Sequence, residues 1–373
     1  MKRITSIFFC LILMASNTFG QPTSKTDTLS LLFIGDIMGH DSQINAAFNK
    51  ELDGYDYNGV FEKIKPILQK PDFAIANLEV TLAGPPFKGY PQFSSPDELA
   101  VACQNNGIDV LVTANNHSCD RRKSGIIRTL DALDSLNILH TGTFRNAAEH
   151  ESNNLLILNK NNIRVGLLNY TYGTNGIPTP APTIVNRIDW KNIAKDIEAS
   201  KSQNLDKLIV FLHWGKEYQS QPSTDQVDLA NYLFSNGADI IIGSHPHVLQ
   251  KMEYRKSLDN SKETFIAYSL GNFVSNQRVR KRDGGAMVEL TLTKTNEVTN
   301  IEKSGYHLIW VHKPVVNGKS SFQIIAAQSY EQNQFEGMSP TQVDQLKLFI
   351  EDSRQLLNSE NLEVNELNSN LKN

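Results

Sequence analysis

The sequence predicts an α/β fold in which much of the strand pairing is parallel. Three observations point there. Short apolar runs recur between residues 29 and 270, and amphipathic segments of helical period lie between several of them. Polar residues of metal-ligating type stand directly after run upon run. Strands that alternate with helices are joined by crossovers, which is the connection parallel strands require.

The runs are residues 29–34 (LSLLFI), 72–76 (DFAIA), 108–113 (IDVLVT), 163–169 (IRVGLLN), 207–212 (KLIVFL), 238–242 (ADIII) and 264–270 (TFIAYSL). They are short and rich in β-branched residues, so they read as buried strands. Amphipathic helices are expected at 58–70, 96–106, 124–137 and 224–236. The last opens on Thr224 and Asp225 and stops before Gly237, which supplies both a start and a stop signal. Beyond residue 285 the pattern changes. Residues 286–294 (AMVELTLTK) alternate as a half-exposed strand does, 306–313 and 321–328 read as further strands, and 340–357 reads as an amphipathic helix. Residues 358–373, rich in Asn and Glu, are expected to form a flexible tail.

Composition sets the class. A chain of 373 residues with 40% hydrophobic and 20% charged residues can bury a large core. Its net charge of -4 offers no basic face for nucleic acid. Lys2 and Arg3 precede an apolar stretch, 4–15, that is short of the roughly 20 residues a bilayer span needs. Residues 1–20 therefore read as an export signal cleaved after Gly20, followed by a linker at 21–28 and one domain at 29–357. The expected location is the periplasm or cell envelope, with no stable membrane span once the signal is removed. An uncleaved anchor is the other reading of the same stretch. Cys10 lies inside the apolar run, too early for a lipid attachment site. Whether Cys103 and Cys119 pair is left open by the sequence.

The chemistry falls at the strand ends. Gly35, Asp36 and, nearby, His40 follow the first run; Asn77 and Glu79 follow the second; Asn115, Asn116 and His117 follow the third. His213 follows the run at 207–212, His245 and His247 flank Pro246 after 238–242, and Asn272 follows 264–270. Parallel α/β sheets bind ligands beyond the carboxyl ends of their strands. Carboxylates, an amide oxygen and imidazoles together suit Mn, Fe or Zn. More than four such donors point to two ions, which about 3.5–4 Å apart can activate water. Taken singly, each residue has a plainer reading: Asp36 as a helix cap, Asn115 and Asn116 as turn residues, His213 as a structural histidine. Their joint occurrence favours the metal edge. His140 and His150 lack that context and read as packing or surface residues.

The motifs GDIM (35–38), NLE (77–79), NNHSCD (115–120), HWGKEY (213–218), GSHPHVLQ (243–250) and SLGNF (269–273) occur in this order. Over roughly residues 29–290 the chain resembles the CapA/PgsA poly-γ-glutamate capsule biosynthesis family. That family is similar in fold to the calcineurin-like metallophosphoesterases. The resemblance implies a four-layer αββα sandwich with a dinuclear metal edge. It places Asp36, Glu79, Asn116, His213, His245 and His247 among the ligands, with Glu79 at the bridging position. His117 stands where a histidine assists the leaving group, and His117 and Asp36 are the candidate catalytic residues. Asn77, Asn115, Tyr172, Glu217 and Asn272 are candidates for substrate contact.

Three departures stand out. Phosphoesterases place a histidine two residues after the first aspartate, where this chain has Met38, and His40 is the candidate replacement. Glu79 replaces an aspartate. Arg122 stands where relatives often have glycine. The implied function is metal-dependent hydrolysis or transfer in the synthesis or export of an anionic envelope polymer, with that polymer and envelope synthases as partners. A periplasmic phosphomonoesterase or phosphodiesterase acting on a small phosphate substrate is a second reading. A non-catalytic polymer-binding scaffold is a third. The Tyr- and Gly-rich stretch 169–178 reads as a turn or a closing loop, and the basic cluster 278–282 (RVRKR) as a solvated loop or an anion-attracting one.

Overall fold

In the computed structural model, residues 26–258, 262–316, 318–328, 332 and 337–367 are described. The expected export signal and residues 368–373 lie outside them.

Strand β1 (Thr26–Ile37) sets the architecture because both of its faces are apolar. Leu29, Leu31 and Phe33 enter one core cluster, while Leu32 and Ile34 enter another. A strand covered on both sides reads as a continuous apolar run, as this one does. The chain continues through β2 (Phe73–Leu78), β3 (Val110–Val112), β4 (Leu139–Thr141), β5 (Leu156–Lys160), β6 (Ile163–Thr171) and β7 (Lys207–His213). Then come β8 (Ile240–Ser244), β9 (Met252–Lys256), β10 (Glu263–Ala267), β11 (Asn272–Val274), β12 (Gly284–Thr295), β13 (Val298–His312) and β14 (Gln323–Ala326).

Two large sheets result. The first runs β14-β13-β12-β1-β2-β3-β4, with β11 also paired to β1; the second runs β9-β10-β8-β7-β6-β5. Pairing from β1 through β4 is parallel, as is pairing from β6 through β7 and β8 to β10. Strands β12 to β14 add antiparallel to the first sheet, and β5 and β9 close the second as antiparallel edges.

The sheets pack face to face. Phe33, Ile75 and Val110 of the first meet Leu167, Phe211 and Ile242 of the second in one buried cluster. Burial of each such side chain contributes about 1.5–3 kcal/mol. Among the helices are α1 (Asp41–Ala47), α2 (Glu98–Asn105), α3 (Arg122–Ser135), α4 (Trp190–Ser200), α5 (Thr224–Asn236) and α6 (Pro340–Glu360). Leu99 and Ala102 of α2 cover the outer face of the first sheet. Ile193 and Ile197 of α4, with Leu229 and Leu233 of α5, cover the outer face of the second. This is the four-layer αββα sandwich. Leu346, Phe349 and Ile350 of α6 reach into the cluster between the sheets.

Several elements differ from expectation. The helix expected at 58–70 breaks into two short turns, Asn58–Phe61 and Lys65–Leu68, with Pro66 near the start of the second. Proline has no N–H to continue the ladder. The run at 264–270 stops as a strand at Ala267; Gly271, at φ 68°, then turns the chain out of the second sheet and into the first as β11. The flexible tail does not begin at 358: α6 runs to Glu360, and Asn365–Glu366 pairs with β13. Cys103 and Cys119 are both buried as free thiols. Among the described residues, no helix is long and apolar enough to cross a membrane.

Candidate metal centre

The carboxyl ends of β1, β2, β7 and β8 converge at one edge, and they come from both sheets. Asp36 lies within β1, Glu79 follows β2, His213 closes β7, and His245 and His247 follow β8. All five are almost completely buried. Their donor atoms form two triads: Asp36, Glu79 and His213, and Glu79, His245 and His247. Within each triad the ligating atoms lie within 4.8 Å of one another. Glu79 belongs to both.

The surrounding hydrogen bonds aim these donors. Asn77 Nδ2 donates to Asp36 Oδ1 at 2.8 Å, and the His245 N–H approaches Asp36 Oδ2 at 3.3 Å. His213 Nδ1 lies 2.9 Å from Ser244 Oγ, leaving Nε2 facing Glu79 Oε1 at 3.4 Å and Asn116 Oδ1 at 3.1 Å. His247 Nδ1 lies 3.0 Å from Asn272 Oδ1 and 3.3 Å from Asp36 Oδ2, leaving Nε2 facing Glu79 Oε1 at 3.9 Å. An imidazole held at one nitrogen presents the other in a fixed direction. The His-Pro-His turn is itself unusual. His245 and His247 have φ of 97° and 56°, in the left-handed region that non-glycine residues rarely occupy. Such backbone persists where surrounding structure enforces it. Gly243, just before the turn, lies tight against the backbone of Tyr268: a Cβ there would meet Tyr268 O at 2.0 Å.

The electrostatics are those of a site built for a cation. Both Glu79 oxygens and His245 Nδ1 are buried without a hydrogen-bond partner. Burial, with Asp36 close by, pushes the Glu79 carboxyl well above its ordinary range. Burial pushes His213 well below its own, and burial with His247 nearby takes His245 down to about 3. A buried carboxylate with no donor is costly unless a positive charge answers it. Neutral imidazoles and a carboxylate are the protonation states that ligate divalent metals. The cluster fits a divalent ion.

The other site candidates divide. Asn116 joins the donor set through His213. His117 stands beside it, its Nδ1 2.7 Å from Asp120 Oδ2 and its ring edge-on to Phe93. The ring of Tyr172, partly exposed, lies 4.5 Å from that of His245. Glu217 is exposed, and its charge reaches Glu79.

His40 joins neither triad. It is the N-cap of α1, and its Nδ1 is engaged by Gln43 Oε1 at 3.0 Å and by the Asn276 N–H at 3.2 Å. Met38 is buried in the outer core, so that position supplies no ligand. Asn77, Asn115 and Asn272 are buried braces rather than surface contacts. Asn115 Nδ2 donates to Leu78 O at 2.7 Å, and Asn272 Nδ2 donates to Arg282 O at 2.7 Å.

Sequence reasoning left Asp120, Ser244 and Tyr218 without roles. The spacing of three between His117 and Asp120 was the available signal for the first. Ser244 lies across the sheet from His213, a neighbour that only strand register reveals.

Residues 30–277 match the family described as "Bacterial capsule synthesis protein PGA_cap". The "Capsule biosynthesis protein CapA" of Bacillus anthracis is 32% identical over 280 residues, covering 72% of this chain and 65% of the relative. This chain thus spans a little under two thirds of that protein. The "PGA biosynthesis protein CapA" of Bacillus subtilis is 29% identical, covering 75% of this chain and 73% of the relative. Among solved structures, the NAD nucleotidase NadN of Haemophilus influenzae has a TM-score of 0.49 at 14% identity, covering 89% of this chain and 68% of its own. The calcineurin-like phosphoesterase YfkN of Bacillus subtilis has a TM-score of 0.44 at 14% identity, covering 89% and 98%. The ordered motifs and the family match over most of the domain lead to one conclusion: this chain belongs to the PGA_cap (CapA) family of bacterial capsule synthesis proteins.

Proposed function

We propose that this chain is an exported protein that acts, through a two-ion divalent-metal centre, on an anionic cell-envelope polymer of the poly-γ-glutamate type during capsule synthesis or export. The carrying observation is Glu79, a buried carboxyl with no hydrogen-bond partner on either oxygen, shared by two ligand triads. The names of the two relatives, one a capsule and one a PGA biosynthesis protein, support the choice of polymer.

Asp36, Glu79 and His213 would hold one ion, and Glu79, His245 and His247 the other. Bound Mn, Fe or Zn supplies Lewis acidity toward a γ-glutamyl carbonyl and lowers the pKa of a coordinated water. The residues of the chain do the rest. With two carboxylates, a donor set that held two divalent ions would carry a net positive charge, which would favour an anionic substrate. Ser244 and Asn272 keep His213 and His247 turned toward Glu79. Asp120 fixes one nitrogen of His117, leaving the other to give a proton to a leaving group. The partly exposed ring of Tyr172 lies over His245, where it is placed to contact a bound substrate.

The test is the length of γ-glutamyl oligomers incubated with Mn-supplied protein, followed by chromatography. The expected result is a change in length that disappears in His245→Ala and Glu79→Gln variants that still fold. Unaltered oligomers together with turnover of an aryl phosphate would contradict the polymer reading. Turnover that persists in both variants would contradict the site.

A further inference from the structure

The basic cluster 278–282 contains three arginines, and two of them have partners. Arg278 Nη1 donates to Val311 O at 2.7 Å, and its guanidinium lies 5.4 Å from the Trp310 ring. Arg280 is ion-paired with Asp352. Arg282 differs. It is half-buried, its guanidinium carbon stands 3.3 Å from the centroid of the Tyr218 ring, and among the described residues no carboxylate pairs with it.

Both members of this stack are tied to the metal edge. The Tyr218 N–H donates to Pro246 O at 2.8 Å, inside the His-Pro-His turn. The Tyr218 ring stacks with that of His247, centroids 6.2 Å apart and 29° from parallel. The Arg282 carbonyl accepts from Asn272 Nδ2, and Asn272 Oδ1 holds His247. Tyr218 occupies one face of the guanidinium, and among the described residues no acceptor takes its in-plane N–H donors. A partly desolvated cation with unused donors calls for an acceptor, and the fork matches the two oxygens of a carboxylate or phosphate.

We propose that Arg282, held on the ring of Tyr218 beside His247, is the specificity residue that binds an oxyanion of the substrate next to the metal edge. This rests on the reading that the edge processes an anionic substrate, and it adds which group of the chain recognises the charge. Glu217, exposed and adjacent to Tyr218 in the chain, is the acidic neighbour on the same loop. It opposes any anion that Arg282 does not hold directly. In a polymer of γ-glutamyl units the oxyanion is the free α-carboxylate that each unit carries. In a phosphate ester it is the phosphoryl group.

The experiment measures binding of a fluorescent γ-glutamyl oligomer, and separately of inorganic phosphate, to Mn-supplied full-length protein. Wild type is compared with Arg282→Ala and Arg282→Lys at matched metal content and melting temperature. Loss of a bidentate charged contact predicts oligomer binding about tenfold weaker or more in Arg282→Ala, with only partial recovery in Arg282→Lys. If wild type ignores the oligomer but binds phosphate in an Arg282-dependent way, the specificity residue stands and the polymer reading falls. Unchanged affinity for both anions in Arg282→Ala, or absence of binding of either to wild type, overturns the inference. Should Arg282→Ala fail to fold, Arg282→Lys decides: full wild-type affinity for the oligomer contradicts the bidentate role.

Discussion

At the scale of single residues, Glu79 defines the centre. Its carboxyl is held well above the ordinary range by burial, with Asp36 and Glu217 adding like charge. A metal-free chain carries this as a destabilising term, which a neutral isostere removes. Glu79→Gln is therefore expected to unfold at higher temperature than wild type when both are freed of metal at neutral pH, by an amount equivalent to about 1–3 kcal/mol. Added Mn should stabilise wild type and leave the variant nearly unmoved. Thermal unfolding with and without chelator reads both effects, and a variant less stable than wild type without metal would contradict the unpartnered charge. Much of this site was legible. Asp36, Glu79, His213, His245 and His247 each follow an apolar run, and that position alone placed them at one edge. His40 lies outside both triads, and its proximity in sequence to Asp36 did not reveal the direction of its side chain. The chain turns into α1 there, and the imidazole is engaged by the Gln43 side chain and the Asn276 N–H. Arg122 occupies φ 53°, left-handed backbone that glycine enters more readily than arginine.

At the scale of elements, the strand pair β12–β13 carries a pH dependence separate from the metal edge. Glu289 of β12 faces His307 of β13, with Oε2 3.3 Å from His307 Nε2. That hydrogen bond, with Lys70 and Lys303 nearby, holds the Glu289 carboxyl down at about 2 against an ordinary value of 4.5. A depressed carboxyl favours the native state at every pH above its unfolded value. That contribution fades as pH falls from 4.5 toward 2. Glu289→Gln should therefore be less stable than wild type near neutral pH, and the gap should close over that acid interval. Chemical denaturation at a series of pH values measures it, and a gap independent of pH would contradict the pairing. Element limits were readable where local chemistry dictates them. Ser223 and Gln226 form a capping box, Gly237 ends the helix at φ 123°, and α5 spans the expected residues. Helix α4 passed unassigned although Ile193 and Ile197 stand four apart on its buried face. The break at Pro66 is the tertiary resolution of a segment whose apolar spacing alone suggests one helix.

At the scale of the whole molecule, the two sheets explain why the site exists. Apolar runs in the sequence do not reveal which sheet a strand joins. Asp36 and Glu79 come from one sheet and His213, His245 and His247 from the other. Packing through Phe33, Phe211 and Ile242 holds the two edges together, so the donor set is a product of the sandwich rather than of any local motif. Gly271 carries the chain across between the sheets and places Asn272 opposite Asp36. As proposed above, this junction would be a divalent-metal centre with Glu79 shared between two ions. That proposal is tested most directly by the metal content of the purified chain after exposure to Mn, Fe or Zn and removal of unbound ions. Wild type is expected to hold two ions per chain tightly, and Glu79→Gln to lose both. A wild-type chain that retains no ion, or a Glu79→Gln chain that retains as many as wild type, would contradict it.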